Sequence, residues 1–313
     1  MAAVRRNVVI DETARKSFVE GILALKADHL GPTTADVGIS GPARPLSTYD
    51  LFIVWHHLAM ARMTPPTQRD RNAAHSGPAF LPWHRLMLVL FELQLQRVLG
   101  DETVGLPYWD WAADGDRPPG QQTQTPLWDD TTGIGGTGTP VTGGPFQPSD
   151  FRVEIDSDPT GRLRATNRGL SRTIGVDTDR LPTTNDVTAV LGDDTYDLSP
   201  WNRSSLGFRN RVEGWRPNGP RLHNRVHVWV GGDMAPATSP NDPVFYLNHC
   251  NEDRIWEAWM IRHGRSYAPP ATAPAELAGH RLGDRLYSVL TTQPITPADV
   301  LDTSAFATYD QLP

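Results

Sequence analysis

Cysteine is nearly absent: Cys250 is the one thiol in 313 residues. No intrachain disulfide can form, and neither a four-thiolate zinc site nor an iron–sulfur cluster can be built. Any metal must be held by imidazole or carboxylate. Positive charge is also short, with 29 Lys and Arg against 36 Asp and Glu and a formal charge of −7. A nucleic-acid binder needs a basic face to displace counterions, so that class is disfavoured. Long apolar runs are missing too. The longest, Leu86 to Phe91, is far short of the roughly 20 residues that cross a bilayer, so no membrane partner is expected. The first residues carry arginines but no apolar stretch of the kind a cleavable secretion signal requires. The expected location is the cytoplasm, or the exterior after folded export with a partner protein.

What is present is globular material. Apolar residues make up 38 % and include ten tryptophans, enough for a large packed core. Proline and glycine are plentiful but unevenly spread. Between about residues 112 and 182, and again after Tyr267, they join Thr and Asp in segments that read as long loops with a few short strands. Elsewhere the apolar period is helical. The spacing predicts helices over Glu12–His29, stopped by Gly31-Pro32, and from Ser47 to about Met63, with Ser47 and Asp50 as a capping box. Others are expected from Pro82 to Gly100, over Asn185–Leu191 and Arg221–Val230, and from Asn241-Asp242-Pro243 to Gly264. No internal repeat or clean linker appears. The expectation is one mainly α domain over 1–313, with a core at about 10–265 and a C-terminal wrapping segment over 266–313.

One motif is set aside. Gly133 to Gly138 matches G-x-G-x-x-G, but the fingerprint needs a strand before it and a helix after it. Turn-forming residues flank it on both sides, so it reads as a loop.

The histidines are more informative. His223 and His227 stand four apart on one predicted helix, so their imidazoles share a face one turn apart. His249, early in the next helix, offers a third ligand. His56, His75 and His84 offer a second set: His56 on one helix, His84 on another, and His75 in the connection. A single histidine on an apolar face is usually a hydrogen-bonded core residue. Two triads on paired helices are much harder to reach by chance. There is no H-E-x-x-H, and no Glu stands three residues before any His. Metalloprotease and carboxylate di-iron chemistry therefore lack their ligands. Six imidazoles and no carboxylate suit copper. Two such coppers, facing each other, can each give one electron to O2. The fold expected around them is an antiparallel four-helix bundle holding a dicopper site. A structural zinc protein is the plainer alternative.

These segments resemble the tyrosinase family of binuclear (type-3) copper proteins, in its compact bacterial form. Tyr49 to His56 is similar to the family segment bearing the first ligand of copper A. Ala74-His75-Ser-Gly-Pro-Ala-Phe-Leu-Pro-Trp-His84-Arg85 is similar to the segment bearing the second and third, and is the most specific motif in the chain. Leu106 to Trp111 resembles the stretch that follows it. Leu222 to His227, and Asn241 through Asp253-Arg254, look like the copper-B half. The resemblance implies His56, His75 and His84 on copper A, and His223, His227 and His249 on copper B. Counting from Tyr49 favours His56 over its neighbour His57.

The resemblance also implies roles around the metals. Asp253, one turn after His249, is a candidate to orient that ligand; the alternative is a surface salt bridge with Arg254 or Arg262. Phe245 matches an aromatic near the copper pair and is expected to line the substrate pocket. Asn248 stands where relatives often carry a second His, so it is a candidate on the substrate side. Trp215 and Val228 are expected to shape the entrance. Glu213 and Asn224 match the pair that handles the phenol proton; the alternative is a Glu213–Arg209 or Glu213–Arg216 pair with Asn224 in solvent.

The implied reaction uses O2 to hydroxylate monophenols and to oxidise o-diphenols to o-quinones. Oxidation of an o-aminophenol to a quinone imine is the close alternative. Reversible O2 carriage of the hemocyanin kind is a third reading, disfavoured because little chain remains beyond the helical core to cover the site. A small helper protein that delivers copper, as in some bacterial members, is the partner the resemblance suggests.

Overall fold

The computed structural model describes residues 2–29, 31–216 and 221–313. The elements follow the chain as β1 (Ala3–Arg5), α1 (Glu12–Ala27), α2 (Thr48–Ala61), α3 (Phe80–Leu99) and α4 (Trp111–Gly115). Next come β2 (Val153–Ser157), β3 (Leu163–Arg168), α5 (Thr184–Leu191), α6 (Phe208–Glu213) and α7 (His223–Val230). The long α8 (Val244–His263) and the short β4 (Ala307–Tyr309) complete the order. Helices dominate, as the periodicity indicated. The strands form two small pairs: β1 runs parallel to β4, and β2 antiparallel to β3.

Local chemistry sets the helix ends. Asp11 caps α1 by accepting from Ala14 N. The helix stops at Ala27, short of His29, because Asp28 turns outward to dock the next element. Its carbonyl accepts from Thr48 N at 2.7 Å and its carboxylate from Thr48 Oγ1 at 2.5 Å. Ser47 caps α2 by accepting from Asp50 N at 3.0 Å. Its hydroxyl in turn donates to the Asp50 carboxylate, which also pairs with Lys26. Helix α3 starts at Phe80, two residues ahead of Pro82. This costs nothing, because first-turn N–H groups have no intrahelical acceptor. Gly100 closes it in the left-handed conformation at φ 65°.

Buried apolar side chains from the helices and the loops between them form one connected cluster. Six tryptophans (Trp55, Trp83, Trp109, Trp111, Trp256 and Trp259) lie fully inside it. Helix α8 packs on both α3 and α7, and α2 packs on α3. The last segment returns to this core. The Tyr287 carbonyl accepts from the indoles of Trp55 and Trp83, and the Val300 carbonyl accepts from Arg85.

The glycine-rich loop proves to be a packing device. A short 3-10 turn (Pro126–Trp128) precedes it, not a strand. The carbonyls of Ile134 and Gly135 accept from buried Arg172, which also pairs with Asp242. At Gly133 a Cβ would lie 2.3 Å from two backbone oxygens, so close approach is what requires glycine there.

Candidate metal centre

Two helices and the loop between them hold the first histidine set. His56 comes from α2, His84 from the first turns of α3, and His75 from the connection between them. The second set uses α7 for His223 and His227, and α8 for His249. Within each set, one ring nitrogen from every member lies within 4.8 Å of the others. The two sets face each other. His84 and His249 stack at 4.2 Å between ring centroids with 6° between planes, and His75 and His223 stand 5.8 Å apart. His57 belongs to neither set among the described residues.

One ring nitrogen of most of these residues is fixed by the protein. Nδ1 of His56 lies 2.8 Å from the Ala237 carbonyl, that of His84 2.8 Å from Phe80, and that of His227 2.6 Å from Met234. His223 Nδ1 lies 2.9 Å from Asn224 Oδ1 and 3.3 Å from the Glu213 carbonyl. These contacts set the tautomer and aim the opposite nitrogen inward. Nε2 of His56, His84, His223, His227 and His249 is buried without a hydrogen-bond partner. Five orphaned nitrogens converging in one place are costly unless something binds them. Burial holds every ring neutral. His56 is pushed down to about 3 and His227 to about 4, and burial with neighbouring imidazoles holds His75, His84, His223 and His249 well below the ordinary value. Neutral imidazoles are the form that ligates metal. The donor set is nitrogen only, three to a side, and fits two copper ions.

A cavity of about 660 Å³ opens onto His56, His75, His223 and His227. Trp215, Val228 and Asn224 line it. Glu213 sits behind the wall, fully buried. Its Oε1 accepts from Ser76 N at 2.5 Å and its Oε2 from Arg209 at 2.9 Å. Burial raises its pKa, and Arg209 works against that rise. The Arg209 pair weighed from sequence therefore exists, but it is an interior pair adjoining the site.

Three expectations need correction. Phe245 and Asn248 are fully buried and do not line the cavity. The Phe245 ring instead packs on histidines of both sets, 5.0 Å from His56 and 4.1 Å from His249. Asp253 does not orient His249. Its Oδ1 accepts from Arg85 at 2.5 Å, and its Oδ2 from Arg5 at 3.0 Å and Tyr309 at 2.5 Å, all in the interior. The carboxylate beside His249 is Glu252, whose Oε2 lies 3.0 Å from Nδ1, off the axis of a good hydrogen bond.

Sequence reasoning also missed Phe80 and Ser76. The Phe80 ring packs on His75, His84 and His223. Its place four residues before His84 was the available signal. Ser76 adopts φ 64°, which turns its N–H onto Glu213. No local pattern marks that conformation for serine.

Residues 46–262 match the family model described as the common central domain of tyrosinase. The chain is 43 % identical to a tyrosinase of Streptomyces glaucescens over 98 % of both proteins. It is 37 % identical to grixazone synthase of Streptomyces griseus subsp. griseus, over 99 % of this chain and 100 % of that one. Among solved structures, a mutant polyphenol oxidase from Thermothelomyces thermophila superposes with a TM-score of 0.75 at 22 % identity, covering 99 % of this chain and 89 % of that one. A functional unit of octopus hemocyanin gives 0.59 at 20 % identity, covering 99 % and 68 %. At these identities the two structures speak to the fold alone.

Proposed function

The chain belongs to the tyrosinase family, and from that premise we propose how its own residues carry the chemistry of a type-3 copper oxidoreductase. His56, His75 and His84 hold one copper, and His223, His227 and His249 hold the other. When bound, the pair supplies two-electron oxidation with O2 as co-substrate. The observation that carries this reading is the convergence of orphaned, neutral ring nitrogens at the floor of a cavity. That opening also favours an enzyme over a dioxygen carrier, because a ring-sized substrate can reach four of the six histidines.

The substrate is a small phenol that enters past Trp215 and Val228 and lies against the histidine floor. A phenol has a free pKa of about 10 and must lose its proton to become a good electron donor. Glu213 is the acceptor for that proton, reached through cavity water along the Ser76–Asn224 side. The O–H bond breaks, the phenolate keeps the electron pair, and the carboxylate becomes a neutral acid. Arg209 and the Ser76 N–H hold the carboxylate in place, while burial raises its proton affinity against their opposing pull. Asn224 keeps His223 in one tautomer. Phe80 and Phe245 exclude water from beneath the rings.

Monophenols are hydroxylated at the ortho carbon, and o-diphenols are oxidised to o-quinones. An o-aminophenol, with its amine in place of one hydroxyl, gives the quinone imine by the same loss of two electrons. The test is oxygen uptake by copper-loaded protein on tyrosine, methylcatechol and ortho-aminophenol side by side. Uptake on the diphenol or the aminophenol upholds an oxidase; no uptake on any of the three removes it. Loading with free copper alone, compared with cell-made protein, shows whether a delivery helper is required.

A further inference from the structure

We propose that the cavity selects ring substrates bearing an anionic substituent, a carboxylate above all, and that Arg203 and Arg225 set this preference. The inference deepens the phenol-oxidase reading and rests on it for its kinetic test.

The cavity lining is electrostatically one-sided. Arg203, Arg221 and Arg225 line it, and Asp177 is the one carboxylate among the described lining residues. The deeply buried arginines Arg5, Arg85, Arg172 and Arg209 are all paired with carboxylates. Among the described residues, Arg203 and Arg225 form no such pair, although the chain as a whole carries excess acid.

Arg203 is also pre-ordered. Its Nε donates to Ser76 Oγ at 2.9 Å, and its guanidinium lies 4.1 Å from the Trp215 ring centroid. Ser76 directly follows the ligand His75, so the charge is anchored one residue from the metal centre. The Nε bond leaves both terminal amines of the fork for a carboxylate. Arg225 stands between His223 and His227 on α7, and reaches the same cavity. A substrate ring over the histidines would therefore present its far substituent to fixed positive charge. The net acidity of the chain acts at longer range and is screened over about 8 Å at physiological ionic strength.

The experiment uses copper-loaded full-length protein and three catechols of similar size: dihydrocaffeate as anion, methylcatechol as neutral and dopamine as cation. At low salt the expected order of kcat/KM is anion, neutral, cation, each step about fivefold to tenfold for a unit charge near a partly solvated guanidinium. The anion-to-cation ratio should fall toward one in high salt. It should fall likewise in Arg225→Gln and further in the Arg203→Gln, Arg225→Gln double variant, through KM more than kcat. Because the readout is a ratio, general damage from disturbing Ser76 cancels. A ratio near one in the wild type, or one that survives the double variant, overturns the proposal. If none of the catechols is turned over, the oxidase reading fails. Calorimetric binding of benzoate against benzylamine then decides the charge preference: tighter benzoate upholds it and equal binding overturns it.

Discussion

Asp253→Asn separates the frame of the site from its metal. Asp253 is the centre of a buried ionic cluster in which one carboxylate faces Arg85 of α3, Arg5 of β1 and the Tyr309 hydroxyl of β4. Its side chain is 2 % exposed, and those of Arg85 and Arg5 are 0 % and 1 %. Asparagine keeps the shape but removes the charge and one acceptor direction. Arg5 retains Glu92 at 2.9 Å, and Arg85 retains the Val300 and Leu301 carbonyls but, as a carboxylate, only the more distant Glu257 at 3.5 Å. Breaking a buried pair from one side costs about 3–5 kcal/mol, because the remaining charge is stranded in the interior. For a chain of this length that amounts to a Tm drop of roughly 5–10 °C. Copper retained per folded molecule should be unchanged. Glu252→Leu should do the opposite. It removes a buried carboxyl without a hydrogen bond, so the apoprotein should hold or gain stability, while the loss of the group beside His249 Nδ1 weakens copper binding about 10–100-fold. The assays are calorimetric melting of the apoprotein and chelator competition for copper. If Asp253→Asn loses copper but keeps its Tm, or Glu252→Leu keeps its copper affinity, the assignment of the two carboxylates is wrong.

Other perturbations test separate links. Glu213→Gln should slow monophenol hydroxylation by about two to four orders of magnitude while diphenol oxidation falls much less, because the diphenol is the stronger acid and gives up its proton more readily without help; equal loss on both would remove that role. His280 is fully buried as a neutral imidazole, pushed down to about 3 by burial, and makes a 2.8 Å contact with Thr64 Oγ1. Its folded pKa lies below its unfolded one, so its contribution is complete above about pH 6.5. It is lost as pH falls toward the folded value, at about 1.4 kcal/mol per pH unit. Urea unfolding of the apoprotein between about pH 7 and about pH 5 should show a shallower pH slope in His280→Asn than in wild type; parallel slopes would contradict it.

Much of this was legible in sequence for physical reasons. Ser47 and Gly100 mark helix ends because capping and left-handed termination are local. The histidine pair at 223 and 227 is visible because four residues make one helical turn. Short-range rules could not separate Asp253 from Glu252, which are adjacent on α8. The choice between them was made by Arg5 and Arg85, contributed by distant parts of the chain. The β1–β4 pairing joins the two ends of the chain, and no sequence window contains both. Helix α6 escaped because six residues are too few for a period to show. Asn248 was read toward the substrate, but its neighbours on α8 are buried throughout, and the helix carries it inward.

Anomalous scattering at the copper edge, from crystals grown with copper, tests the central claim most directly. Two peaks are expected, one within reach of His56, His75 and His84 and the other of His223, His227 and His249. In His84→Ala and His227→Ala the peak of the altered triad should vanish, together with turnover. A single peak, or zinc at one ion per chain with no copper pair, would contradict the account.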